Sequence, residues 1–162
     1  MTKSTLQHST QGVKPTSEWS KGEFRVSTDP ARLDIETIHA FLSTSYWASG
    51  VPEAVVRRSI EGSLPFGLYH GARLIGFARV ISDYTTFAYL ADVFVLPEYR
   101  AQKLGVWLIE VIMNHPELQG LRRWSLATRD AHDLYAKFGF TPLKDPSRFM
   151  ELHRPDIYKA AT

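Results

Sequence analysis

Phe24-Arg25-Val26-Ser27-Thr28 alternates apolar and polar side chains until Asp29-Pro30 stops the run, which is the period-two signature of a short strand. The period then changes. Ile35, Ile38 and Leu42 recur at helical spacing behind Asp34, a residue suited to cap the helix, and Tyr46-Trp47-Ala48-Ser49-Gly50 ends the pattern. Pro52 suits the first turn of a second helix running to about Ile60. Residues 64–70, a Gly71-Ala72 turn and residues 74–81 predict an antiparallel hairpin, and residues 87–96 a long apolar strand beside it. Leu104, Leu108, Val111 and Ile112 fall on one face of a further helix that ends near Asn114-His115-Pro116. Residues 124–128 read as a short buried strand, residues 131–138 as a helix closed by Gly139, and Phe140 and residues 149–152 as final strands. A meander followed by crossover helices predicts an α/β (α+β) fold, with a mixed, mostly antiparallel central sheet and helices on both faces.

With 162 residues, 44% of them hydrophobic and 12% aromatic, the chain fits one domain with a substantial core. Residues 1–20 are polar and lack the apolar run of a signal peptide or membrane span, so they read as a flexible N-terminal arm ahead of a single domain over residues 21–162. Nineteen Lys plus Arg against seventeen Asp plus Glu is too balanced to argue for a nucleic-acid or membrane partner, and neither is expected. The absence of cysteine excludes disulfides, thiolate metal sites and a cysteine nucleophile, and favours a cytoplasmic setting. The six histidines show no metal-ligand spacing, and there is no nucleophile elbow and no Walker lysine motif, so no metal is expected.

The chemistry concentrates in Tyr99-Arg100-Ala101-Gln102-Lys103-Leu104-Gly105-Val106-Trp107-Leu108, where a basic, glycine-bearing turn runs from an apolar strand into an amphipathic helix. A helix start presents unpartnered N–H groups and the positive end of its macrodipole, which suit a phosphate or pyrophosphate. Arg100 and Lys103 add mobile charge.

This turn, together with Leu134-Tyr135-Ala136-Lys137-Phe138-Gly139-Phe140 and the element order, resembles the GNAT superfamily of acetyl-CoA-dependent N-acetyltransferases over roughly residues 24–152. The family pattern of Arg or Gln, two residues, Gly, one residue, then Gly or Ala is met by Arg100 and Gly105, while Lys103 stands where the first glycine is usual. Glycine there permits positive φ or close backbone approach, so the lysine implies an altered local geometry. The resemblance implies acetyl-CoA as cosubstrate, with Arg100, Ala101, Gln102, Lys103, Leu104, Gly105 and Val106 around its pyrophosphate. It also implies that the backbone of Val93, Phe94 and Val95 pairs with the pantetheine arm, with a local bulge aiming one N–H, at Val93 or Phe94, toward the thioester carbonyl.

Tyr135 takes the place of the family's general acid toward the sulfur. A phenol near pKa ~10 protonating a thiolate near ~8.5 is uphill by roughly 2 kcal/mol, so a hydrogen-bonding role is the other reading. A base for the amine falls to Asp92, to Asp83 or to a water chain. By strict alternation Asp92 shares a strand face with Leu90, Phe94 and Leu96, where it would be partly desolvated. Tyr46, Trp47, Asp83, Tyr84 and Arg79 border the expected acceptor cleft, Arg79 facing either a substrate carboxylate or Asp83 or Asp92. His132 reads as an exposed helix-start residue. The implied activity is acetyl transfer to a primary amine, of a small molecule or a peptide, by direct attack in a ternary complex. The alternative is a non-enzymatic acyl-CoA-binding or regulatory module of the same fold, for which Lys103 is the best support. Homodimers are frequent among similar proteins, so a homodimer is an open expectation.

Overall fold

The computed structural model describes residues 15–159. Six strands, β1 (Glu18–Lys21), β2 (Phe24–Ser27), β3 (Leu64–His70), β4 (Arg73–Ser82), β5 (Phe87–Val95) and β6 (Arg123–Ser125), lie in one sheet in sequence order. Every neighbouring pair is antiparallel except β5 and β6, which run parallel. Parallel neighbours need a crossover, and α3 (Leu104–Met113) provides it. Two helices, α1 (Ile35–Leu42) and α2 (Glu53–Glu61), precede the β3–β4 hairpin, and the short α4 (His132–Ala136) follows β6.

Helices cover both faces, as the pattern predicts. On one face α3 buries Leu104, Trp107, Leu108 and Ile112 against Val26, Phe66, Leu68 and Val80, with Tyr135 of α4 in the same cluster. On the other, Ile38 and Leu42 of α1 and Val56 and Ile60 of α2 meet Tyr69, Leu74, Phe77 and Phe94. The expected cap of α1 is present, with the Thr37 N–H donating to the Asp34 carboxylate over 3.1 Å. That bond and the one from the Thr37 hydroxyl hold the Asp34 carboxyl below the usual carboxylate range.

Three expectations are corrected. The arm expected over residues 1–20 gives way at Glu18 to β1, because Gly22, at φ 60°, turns the chain so that Trp19 pairs with Val26 and packs on Phe66 and His115; residues 1–14 lie outside the described residues. The strand expected over residues 124–128 shortens to Arg123–Ser125 and is only half-buried. Phe140 and residues 149–152 form no strands. Phe140 instead sets its ring against Tyr135, 6.0 Å between centroids, and Pro146 starts a one-turn 3-10 helix that redirects the chain before it meets an edge. Met150 and Leu152 are left 98% and 83% exposed.

Candidate active site

The site begins where β5 and β6 part. Their ladder holds only Phe87 to Arg123, Ala88 to Trp124 and Tyr89 to Ser125, so from Leu90 to Val95 the β6-side edge of β5 has no strand partner among the described residues. An open edge is a template for another extended chain. On its other side β5 carries a bulge. Arg79 pairs with Ala91 but Phe77 pairs with Phe94, so one extra β5 residue is accommodated across from Ala78, and Asp92 absorbs it at φ 56°.

The bulge inverts the side-chain alternation, because one added residue moves everything beyond it to the opposite face. Leu90 lies in the α3 cluster, Phe94 in the α1–α2 cluster. This corrects the shared face expected for Leu90, Asp92 and Phe94: Asp92 points to the α1–α2 side, where the Trp47 indole N–H donates to its Oδ1 over 2.9 Å. The β4 backbone follows the distortion closely, and a Cβ on Gly76 would meet the Phe94 carbonyl oxygen at 2.8 Å.

Asp92 is also ion-paired. Arg79 Nε donates to its Oδ2 over 2.6 Å, with the two side chains 16% and 12% exposed, and Arg79 also donates to the Ser63 hydroxyl over 3.0 Å. Arg79 thus makes the internal pair that was one of its two readings. Asp83 does not reach this group. Its carboxylate accepts from the Thr85, Thr86 and Phe87 N–H groups and from the Thr86 hydroxyl, closing the β4–β5 turn. Those bonds hold it far below the usual carboxylate range, so as a base it is a turn anchor committed elsewhere. Tyr84, at φ 62°, sits in the same turn.

At the far end of β5 the basic turn folds back on the strand. Arg100 Nε donates back to the Val95 carbonyl over 3.1 Å. Ala101 and Lys103 both adopt left-handed backbone, at φ 64° and 59°. Lys103 is the N-cap of α3, and no side chain caps that helix start. Its first-turn N–H groups therefore lack intrahelical partners. Val95, Arg100, Ala101, Lys103, Gly105, Val106 and Leu134 are among the residues lining a cavity of about 360 Å³ at this point. A Cβ built on Gly105 meets nothing nearer than Val95 Cγ2 at 3.9 Å, so the fold itself does not demand glycine there. Gln102 is exposed beside it.

Tyr135 is 8% exposed, and burial pushes its phenol up to about 12, with Tyr46 and Asp130 adding to the shift. Tyr46 and Trp47 are 46% and 41% exposed, their rings edge to face at 5.0 Å. Trp47 leans on Phe41, which stacks on Phe94 at 4.0 Å. Arg129, unmarked in the sequence reading, joins them: its backbone N–H donates to the Tyr46 hydroxyl over 3.0 Å and its guanidinium lies 3.9 Å from the Tyr46 ring centroid. Nothing local signals this, since Tyr46 and Arg129 are 83 residues apart. His132 is exposed at the first position of α4. Among the described residues no group of three His, Cys, Asp or Glu could hold a metal, and no helix is long and apolar enough to cross a membrane.

The mixed sheet thus parts beside an uncapped helix start, with the bulged strand lining the gap, in an α/β domain. The family described as Acetyltransferase (GNAT) matches residues 29–140, and the chain belongs to it. A Gibberella zeae protein that carries an acetyltransferase designation is 33% identical over 142 residues, spanning 74% of this chain and 79% of its own length. The crystal structure of a GNAT-family protein from Xanthomonas campestris pv. campestris superposes with a TM-score of 0.83 at 53% identity, covering 85% of this chain and 97% of the other. A Clostridium acetobutylicum structure with acetyl-CoA shares the fold alone, at a TM-score of 0.57 and 11% identity, covering 86% and 95%.

Proposed function

We propose that this protein transfers the acetyl group of acetyl-CoA to the primary amine of a small molecule or peptide, by direct attack within a ternary complex. The observation that carries the reading is the continuity of the uncapped α3 start, the cavity beside Gly105 and the unpaired edge of β5. Together they make a track for an extended arm ending in a pyrophosphate. Arg100, Lys103 and the N–H groups of residues 102–106 would hold the pyrophosphate, and the backbone of Val93, Phe94 and Val95 the arm. The cosubstrate supplies an activated acyl thioester.

The amine nitrogen forms a bond to the acyl carbon, the carbon–sulfur bond breaks, and the proton lost by the amine is finally balanced by protonation of the departing thiolate. A bulge N–H at Val93 or Phe94 meets the charge that develops on the carbonyl oxygen. With Tyr135 near 12 and a thiol near ~8.5, transfer of its proton to sulfur is uphill by roughly 5 kcal/mol. Tyr135 therefore acts as a hydrogen-bond donor while negative charge builds on sulfur. Asp92, clamped by Arg79 and Trp47, positions the acceptor wall, and water at the open mouth takes the amine proton. The argument for a non-enzymatic module rested on Lys103, and its left-handed backbone supplies the conformation for which glycine is usual. The test is thiol release from acetyl-CoA across a panel of amines. Tyr135→Phe is expected to lower kcat by ~10- to 100-fold with CoA affinity nearly unchanged. Equal kcat in variant and parent would refute the role.

A further inference from the structure

An ion pair and a stacked guanidinium border the expected acceptor cleft, and they differ in what they leave free. Asp92 and Arg79 are tied to each other at 2.6 Å, with Trp47 and Ser63 taking further bonds, so neither is available without breaking a half-sequestered network. Arg129 enters none of the ion pairs among the described residues. Its guanidinium is nevertheless held in place, face to the Tyr46 ring at 3.9 Å, while the Tyr46 hydroxyl fixes its backbone N–H. A stacked guanidinium keeps its N–H edges for an outside partner and has already lost much of its rotamer freedom. Tyr46, the ring this cation is held against, also raises the pKa of the Tyr135 phenol, as Asp130 does, so the Arg129–Tyr46 pair shares the neighbourhood of the group assigned to the leaving sulfur.

We infer that Arg129 is a specificity residue that binds an oxyanion on the acceptor, so that the preferred substrates are small amines carrying a carboxylate or a phosphate. The inference rests on the acetyltransferase reading and deepens it. A planar guanidinium grips either oxyanion through two parallel N–H bonds, whereas a neutral hydroxyl or amide offers a single weaker contact. The exposed faces of Tyr46 and Trp47 take the carbon chain between anion and amine.

The experiment compares matched amines with the intact protein and acetyl-CoA: glycine against glycinamide, and O-phosphoethanolamine against ethanolamine. At least one anionic member is expected to exceed its neutral partner by ~10-fold or more in kcat/KM, and which pair shows the preference separates carboxylate from phosphate. Arg129→Ala should raise KM for the preferred anionic amine and bring that ratio toward one, with the CoA-induced thermal shift retained. Arg129→Lys should restore part of the preference, and Arg129→Glu should invert it. Thermal shift with CoA also checks that each variant is folded. If the parent acetylates neutral amines as well as anionic ones, or Arg129→Ala keeps the ratio, the inference is overturned while the acetyltransferase reading stands. If CoA binds but no amine is acetylated, both are overturned.

Discussion

Replacing Gly105 by alanine should raise stability and leave ligand affinity nearly unchanged, while a larger side chain there should lower the affinity. Gly105 lies in the first turn of α3, and the added Cβ would find only Val95 Cγ2, at 3.9 Å, an ordinary contact. Removing a helical glycine then stabilises the fold by roughly 0.5–1 kcal/mol, since the unfolded chain loses freedom and the helix loses a poor former. For a domain of this size that is a rise in Tm of about 1–4 °C. The same methyl projects beside the cavity of about 360 Å³, next to the N–H groups that would meet a pyrophosphate. Alanine is a residue the family pattern accepts at this position, so the CoA Kd should stay within ~2-fold of the parent, whereas the longer side chain of Gly105→Leu would push the anion back, weaken several charge-assisted bonds together and raise the Kd by ~10-fold, about 1.4 kcal/mol. Thermal unfolding without ligand reads the first effect and calorimetric titration with CoA the second. A folded Gly105→Leu variant that binds CoA as tightly as the parent would refute the placement of the pyrophosphate beside Gly105.

Asp92→Asn removes the charge that Arg79 pairs with, and with both side chains mostly sequestered a loss of ~2 kcal/mol, or roughly 4–8 °C in Tm, is expected by thermal unfolding. Because Asp92 also holds the Trp47 indole, acceptor KM should rise while the acidic limb of the kcat profile keeps its shape; loss of that limb would make Asp92 the base instead of a positioning residue. His115 gives a pH prediction for stability. It is buried between the rings of Trp19 and Phe66, each 5.7 Å away, its Nδ1 accepts from the Glu117 N–H, and burial lowers its pKa from 6.5. A base whose folded pKa is depressed favours the fold in its neutral form, so this contribution is complete above pH 6.5 and is lost as pH falls below it. Unfolding midpoints between about pH 6.5 and 5 should fall less steeply in His115→Asn than in the parent.

Local signals were legible where one element decides its own fate. Asp34 caps α1 because its carboxylate needs only the N–H three residues on, and Pro52 opens α2 for an equally local reason. Apolar runs and the Gly71-Ala72 turn located β3, β4 and β5, but a strand also needs a partner edge. Residues 149–152 are mostly apolar but find no edge, while Glu18–Lys21 reads as polar and finds an edge in β2. The face of Asp92 could not be read from spacing, because a single bulge residue reverses parity and nothing in Ala91-Asp92-Val93 announces it. In the site, the turn and Tyr135 were visible as motifs. Arg129 was not, because its partner is supplied by the α1–α2 connection across the cleft.

Lys103 shows why a departure from a sequence pattern should be judged by backbone conformation before side-chain identity. A glycine at this point would supply positive φ cheaply, and a lysine held at φ 59° costs about 1–2 kcal/mol, with Ala101 at φ 64° adding a similar amount two residues earlier. Such strain persists only where surroundings over-determine it. Here they do: Arg100 is bonded to Val95, Leu104 and Trp107 are buried, and the chain must leave β5 and enter α3 within eight residues, 96–103. The geometry is thus set by the ends of the turn, and the residue at its tip is free to serve the ligand. Lysine brings a cation to a place that already holds Arg100 and the positive end of α3, an arrangement unfavourable until an anion arrives. The strain and the like-charge crowding both lie in the free protein, and the pyrophosphate of the proposed cosubstrate would relieve the second. The turn that departs most from the glycine pattern is for that reason the part of the fold whose energetics point most directly to an anionic ligand.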